Sequence, residues 1–287
     1  MGRPDFALNH MTVARLGFEQ FIAVSQRLGC VGVECRNDLP GPLFDGMRPS
    51  QAGDLIQQAG LRLLALAEVK RFNCLTEADL HDVLLLLDIA AAAGAESVAL
   101  IPANDGLAND GPANDDPEYI ETSDAADQSG LASAIELIAP HLQQRNLIGL
   151  IEPLGFATCA VRYKQPVVEL LNSLGQGSRF KLVHDTFHHH VAGDPNFAAA
   201  HTGVVHLSGV KDKHVSADEM RDLHRGLVDQ HDQLNNITQI QKLLAAGYDG
   251  AFSFEAFSPA LHAEENPFDL LAETIQWIDA ALLEEAA

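Results

Sequence analysis

The sequence predicts an α/β chain folded as one (β/α)8, or TIM, barrel, a single domain over residues 1–287. Three observations predict it. Short β-rich runs alternate with longer runs of helical periodicity from one end to the other. The alternation repeats eight times, with a mean period of about 36 residues, as barrels of about 250 residues do. No linker-like segment divides the chain. Strand–helix alternation implies parallel strands with right-handed crossovers. A doubly wound open sheet is the competing topology. It is disfavoured because Asn9-His10-Met11-Thr12 stands where a dinucleotide fold needs a glycine-rich turn.

The elements follow in order. Phe6–Asn9 reads as the first strand. Phe18–Leu28 carries apolar residues at helical spacing and stops at Gly29. Val31–Glu34 is the second strand, and Ser50 is placed to cap a helix that runs to Ala59 and closes at Gly60. Leu61–Ala67 is the third strand; Thr76 and Asp79 open a helix to Ala93, ended by Gly94. Ser97–Ile101 is the fourth strand, and a helix lies within Ser123–Gln144. Leu147–Glu152, Phe180–Asp185, Val204–Leu207 and Ala251–Glu255 are the remaining strands. Their helices are Gln165–Leu174, a short one within Pro195–Ala200, Asn236–Ala246 and Pro267–Leu283. After strand four, Ala-Asn-Asp recurs at 103, 108 and 113, which reads as a solvated acidic loop on the face where barrels place their sites.

Composition limits the partners. With 47% hydrophobic residues the chain can bury a core without disulfides or a structural metal. The formal charge of −22 repels phosphate backbones and anionic lipid, so neither nucleic acid nor a membrane surface is expected. A cation or a neutral polyol stays compatible. Cys30, Cys35, Cys74 and Cys159 lack zinc-ribbon spacing and sit among apolar or small neighbours, which predicts buried, reduced thiols. Together with an N-terminus that lacks a basic and then apolar leader, this predicts a cytoplasmic protein. The most apolar stretch, Val83–Ile101, is interrupted by Asp88, Gly94 and Glu96 and reads as helix, turn and strand.

Barrel sites form where strands end at the C-terminal face. Strands five to eight end at Glu152, Asp185, His206 (or Ser208) and Glu255. Neighbouring strands lie about 4.8 Å apart, so these four side chains can converge on one small volume. Three carboxylates that close repel one another unless a positive charge sits among them. A divalent metal meets that need, and an oxygen-rich set with one nitrogen suits Mn²⁺, Mg²⁺, Co²⁺ or Zn²⁺. Strand two ends Glu34-Cys35-Arg36; these two charged groups either pair with each other or hold a substrate hydroxyl. Of the tract His188-His189-His190, one ring is expected to point inward, His188 first and His190 second. Lys211 with Asp212, and Glu68, Lys70 and Asn73 at the end of strand three, are read as surface or structural groups near the mouth.

These segments resemble a known family. Leu150-Ile151-Glu152-Pro153-Leu154-Gly155, Val183-His184-Asp185-Thr186-Phe187-His188, Val205-His206-Leu207-Ser208 and Phe252-Ser253-Phe254-Glu255 are similar, in order, to motifs of the xylose-isomerase-like barrel superfamily of sugar isomerases and epimerases. Within it they most resemble the inosose isomerases of inositol catabolism. The resemblance implies that Glu152, Asp185, His206 and Glu255 bind one divalent metal, and that His188 and Arg225 contact substrate oxygens. Glu34 and Arg36 join them as expected substrate contacts. One departure stands out: relatives carry a glycine-rich turn soon after the arginine, where this chain has Val228-Asp229-Gln230-His231. Related barrels often pair, so a homodimer is expected.

The chemistry implied is movement of a carbonyl between adjacent carbons of a keto-polyol through a cis-enediolate, with Glu152 and Glu255 as acid and base. Epimerisation beside a ketose carbonyl and dehydration of a keto-polyol use the same site. A DNA-cleaving barrel conflicts with the charge. A non-catalytic sugar-binding barrel is the remaining alternative.

Overall fold

The computed structural model describes residues 3–104 and 124–284. Eight parallel strands close into a barrel in sequence order: β1 (Asp5–Asn9), β2 (Gly32–Arg36), β3 (Arg62–Val69), β4 (Ser97–Leu100), β5 (Ile148–Ile151), β6 (Phe180–Asp185), β7 (Thr202–Leu207) and β8 (Ala251–Phe254). Closure is direct, with Phe6 of β1 in register with Phe252 of β8. The predicted barrel is therefore the fold. The helices are α1 (Phe18–Arg27), α2 (Pro49–Gln58), α3 (Leu80–Ala92), α4 (Asp124–Gln144), α5 (Lys164–Ser173), α6 (Thr186–Ala192), α7 (Asn236–Ala245), the single turn α8 (Pro259–His262) and α9 (Phe268–Glu284). The Asn-Asp repeats from 105 onward lie outside the described residues; Asn104, at their start, accepts a hydrogen bond from Thr158 Oγ1.

Strand period two builds the interior. Ala65, Leu150, Val183 and Val204 form one small apolar cluster, and Ala7, Leu64 and Ala251 another. The much larger core lies between the strands and the helices. A residue two positions beyond an inward-facing one faces inward too. Glu152 thus stands above Leu150, Asp185 above Val183 and His206 above Val204. The apolar plug is the floor on which the polar groups rest.

Three local expectations are corrected. Ser50 does not cap α2: Arg48 occupies the cap position, and Pro49, whose missing N–H suits the first turn, opens the helix. The helix expected within Pro195–Ala200 lies earlier, at α6, directly after β6. Asp185 ends the strand and accepts hydrogen bonds from the N–H groups of Phe187 (2.7 Å) and His188 (3.0 Å), so it nucleates the helix at once. Gly193, at φ 60°, then stops it. Finally, Cys30, Cys35 and Cys159 are buried as expected, but Cys74 is exposed. Among the described residues no helix is long and apolar enough to cross a membrane; the apolar stretch 83–101 divides into α3, a turn at Gly94 and β4.

Helix α1 borrows its cap. Gly17 has no side chain to offer, and Asp45, from the loop after β2, accepts the Phe18 N–H at 2.7 Å. Replacing Asp45 with Ala removes that acceptor and leaves a Cβ-bearing non-polar residue at φ 53°. Urea unfolding should show a loss of about 1–2 kcal/mol; an unchanged midpoint would refute the cap.

Candidate active site

The four strand-end groups meet. One ligand atom from each of Glu152, Asp185, His206 and Glu255 lies within 4.8 Å of every other, and all four residues are buried. His206 is central. Its Nδ1 lies 3.1 Å from Glu255 Oε2, 3.8 Å from Glu152 Oε1 and 3.9 Å from Asp185 Oδ2, yet none of these is aligned as a hydrogen bond. An unpartnered buried ring nitrogen facing three carboxylates is a donor set without its acceptor. Three oxygens and one nitrogen at this spacing fit a divalent cation, as the residue types predicted.

The groups behind the cluster differ from expectation. Glu34 and Arg36 do not pair with each other. Glu34 accepts from His206 Nε2 at 3.1 Å, on the far side of the ring from the cluster, and is 1% exposed. Arg36 donates Nε and Nη2 to the two oxygens of Asp38, each at 2.7 Å, and Nη1 to Glu255 Oε1 at 2.8 Å. Glu68 adds a fourth contact to Arg36 at 3.3 Å and meets Lys70 at the surface. Asn73 accepts the Ala103 N–H and is structural. Lys211 pairs with Asp229, not Asp212, at 2.6 Å on the exposed rim.

Arg225 is placed despite the missing glycine-rich turn. Gly209 and Gly226 exchange two backbone hydrogen bonds at 2.8 Å, closing the neck of the excursion after β7. A Cβ on Gly209 would come within 2.7 Å of the Leu227 carbonyl oxygen, so only glycine fits there. From this neck Arg225 runs inward, 1% exposed, stacked 4.4 Å from the Phe257 ring centre. Its guanidinium donates to Asp185 Oδ2, Glu255 Oε2 (3.0 Å), Ser208 Oγ (3.1 Å) and Asp222 Oδ1 (3.0 Å). Asn9 Nδ2 also reaches Glu255 Oε1, at 3.2 Å.

The two glutamates are therefore unlike. Burial pushes Glu152 up to about 7, and the charges of Glu255 and Asp185 push the same way. Burial would raise Glu255 as well, but His206, Arg225 and Arg36 outweigh it and hold that carboxyl far below the usual range. His206 is buried too, which alone would lower it; Glu255 and Glu34 raise it well above an ordinary imidazole.

Helix α6 sorts the histidine tract. His188 faces the cluster, with Nε2 3.9 Å from Glu152 Oε1 and Nδ1 unpartnered and buried. Burial lowers it, so it is neutral near pH 7. Gly155 makes room for this turn: a Cβ there would come within 2.2 Å of the His188 carbonyl oxygen. His190 turns away to a groove shared with Asp194 and Lys242. His189 packs behind the barrel, its Nδ1 2.9 Å from Lys164 Nζ. Sequence reasoning missed this buried group, because a lysine opening a helix normally reaches solvent. Burial and then Lys164 push His189 down to about 3. Below pH 6.5 the unfolded chain binds a proton that the native site refuses, so stability falls as pH drops from about 6.5 toward 3. By pH 5 one such histidine costs about 2 kcal/mol. Unfolding free energies of His189→Gln should fall by that much less than wild type between pH 7 and 5; parallel losses would refute the assignment.

Residues 22–281 match the family model described as xylose isomerase-like TIM barrel. The chain belongs to this family. Among solved structures, this family member is similar to a xylose isomerase domain-containing protein of Salmonella typhimurium LT2, at 29% identity and a TM-score of 0.85 over 99% of both chains. It shares its fold with the IolI protein, solved with a bound zinc atom, at 14% identity and TM-score 0.79 over 98% of both chains. The fold likewise matches 3-keto-D-glucoside 4-epimerase of E. coli, at 13% identity and TM-score 0.70, over 97% of this chain and all of that one. No curated protein matches the chain.

Proposed function

We propose that this family member is a metal-dependent isomerase that moves a carbonyl between adjacent carbons of an uncharged keto-polyol of the inosose type. The single observation that carries it is the asymmetry between Glu152 and Glu255. Carbonyl migration on one face of a substrate needs one carboxylate that gives and takes a proton. Two-sided epimerisation needs two. Here His206, Arg225 and Arg36 hold Glu255 in the ionised form, with Asn9 donating a further hydrogen bond, while among the described residues Glu152 has no arginine or amide partner. Charge supports the substrate class. Asp38, Glu68, Glu152, Asp185, Asp222 and Glu255 surround two arginines that are already paired, which opposes a phosphorylated or carboxylated sugar.

Glu152, Asp185, His206 and Glu255 would hold the cation. When bound, it supplies Lewis-acid polarisation of the substrate carbonyl and the positive charge that keeps Glu152 ionised. Glu152 then takes the proton from the hydroxyl-bearing carbon; the C–H electron pair forms the double bond of the cis-enediolate, and the carbonyl oxygen gains the charge. His188, neutral and beside Glu152, is available to carry the hydroxyl proton from one oxygen to the other. While the enediolate is held, the proton on Glu152 exchanges with solvent; Glu152 then delivers a solvent-derived proton to the former carbonyl carbon, so the carbonyl has moved one position. Glu255 stays a ligand rather than the second acid.

The test is metal analysis followed by incubation of the Mn²⁺-loaded protein with a panel of inososes and ketoses in D₂O. One deuterium at the former carbonyl carbon of the product is expected. Full retention of substrate hydrogen would replace the enediolate by a hydride shift; inverted configuration without carbonyl movement would replace the isomerase by an epimerase.

A further inference from the structure

We propose that Glu34 is a positioning residue, whose carboxylate fixes the His206 ring so that Nδ1, and not Nε2, faces Glu152, Asp185 and Glu255. The inference rests on the assignment of those four residues as a cation site. Three observations lead to it. Glu34 is on β2 and His206 on β7, so the carboxylate reaches across the barrel to meet the ring from behind. The Nε2–Oε2 contact at 3.1 Å is the only hydrogen bond of the Glu34 carboxylate among the described residues, and its other oxygen is buried without a partner. A buried carboxylate with so little compensation is costly to keep for stability alone. Its one contact therefore points to a role in the site.

The geometry explains what that role is. An imidazole offers a metal one nitrogen only, and the other must carry a proton. A carboxylate accepting from Nε2–H pins that proton, turns the ring and makes Nδ1 a stronger donor. Glu34 is 1% exposed and separated from the cluster by the ring itself, which opposes the direct substrate contact expected from the sequence.

The test compares Glu34→Ala and Glu34→Gln with the full-length wild type, by crystal structure of the metal-free proteins and by calorimetric Mn²⁺ titration. In Glu34→Ala the ring should rotate or spread over two orientations, and Mn²⁺ affinity should fall about 10–100-fold. A retained ring or an unchanged affinity, with KM for substrate raised instead, overturns the proposal in favour of a substrate contact. Should Glu34→Ala not fold, Glu34→Gln decides alone: the amide oxygen accepts the same N–H without the charge, so affinity falls about three- to tenfold, and no change overturns the proposal. If wild type itself takes up none of Mn²⁺, Mg²⁺, Co²⁺ or Zn²⁺, the metal reading fails, while the ring orientation in the variants still judges Glu34.

Discussion

Replacing Glu152 with Gln lowers turnover by about 10²–10⁴-fold at saturating Mn²⁺, the range expected when a single general base is neutralised. The amide keeps the shape and one oxygen donor but cannot accept the carbon-bound proton. Deuterium exchange from solvent into substrate should fall in step with turnover, because both pass through the same proton. Glu255→Gln is the control. It removes an acceptor from Arg36, Arg225 and Asn9, so its main losses are stability and metal affinity. Equal and complete loss of solvent exchange in both variants, each loaded with metal, would mean that the two glutamates share the proton work after all.

Arg225→Met gives the second large effect, and it depends on metal. The guanidinium is the nearest positive charge to Asp185 and, with Arg36, one of the two guanidinium groups paired with Glu255. Removing one side of a buried ion pair leaves its partners uncompensated, at a cost of about 3–5 kcal/mol. In EDTA, urea unfolding should show that loss. In Mn²⁺ most of it should return, because a cation held by the same carboxylates takes over the neutralisation and binds only the native state. Equal destabilisation with and without Mn²⁺ would show that the arginine acts through packing on Phe257 rather than through charge.

The barrel was legible because its signal repeats. Each strand carries its own turn residues and each helix its own stop, so a shifted boundary at Ser50 and a misplaced helix at Pro195–Ala200 leave the topology untouched. The convergence of Glu152, Asp185, His206 and Glu255 was legible because strand-end position alone aims a side chain at the mouth. What the sequence hid was which way charged groups turn once there. Arg36 could serve Glu34, a substrate or Asp38, and only the loop after β2 brings Asp38 round to it. Glu34 and Glu152 are the same residue type, and their different surroundings come from strands far apart in the chain. Helix α6 is hidden in the sequence because histidine is a poor helix former, and the Asp185 side chain that starts the helix reads there only as a candidate ligand.

The Gly209–Gly226 tie separates two design problems. Because mutual main-chain bonds hold the base of the excursion, side chains farther out along it are free to diverge without disturbing where the guanidinium is anchored. Substrate preference could then evolve, or be engineered by grafting, through residues on that outer arc while the chemistry beneath is inherited unchanged.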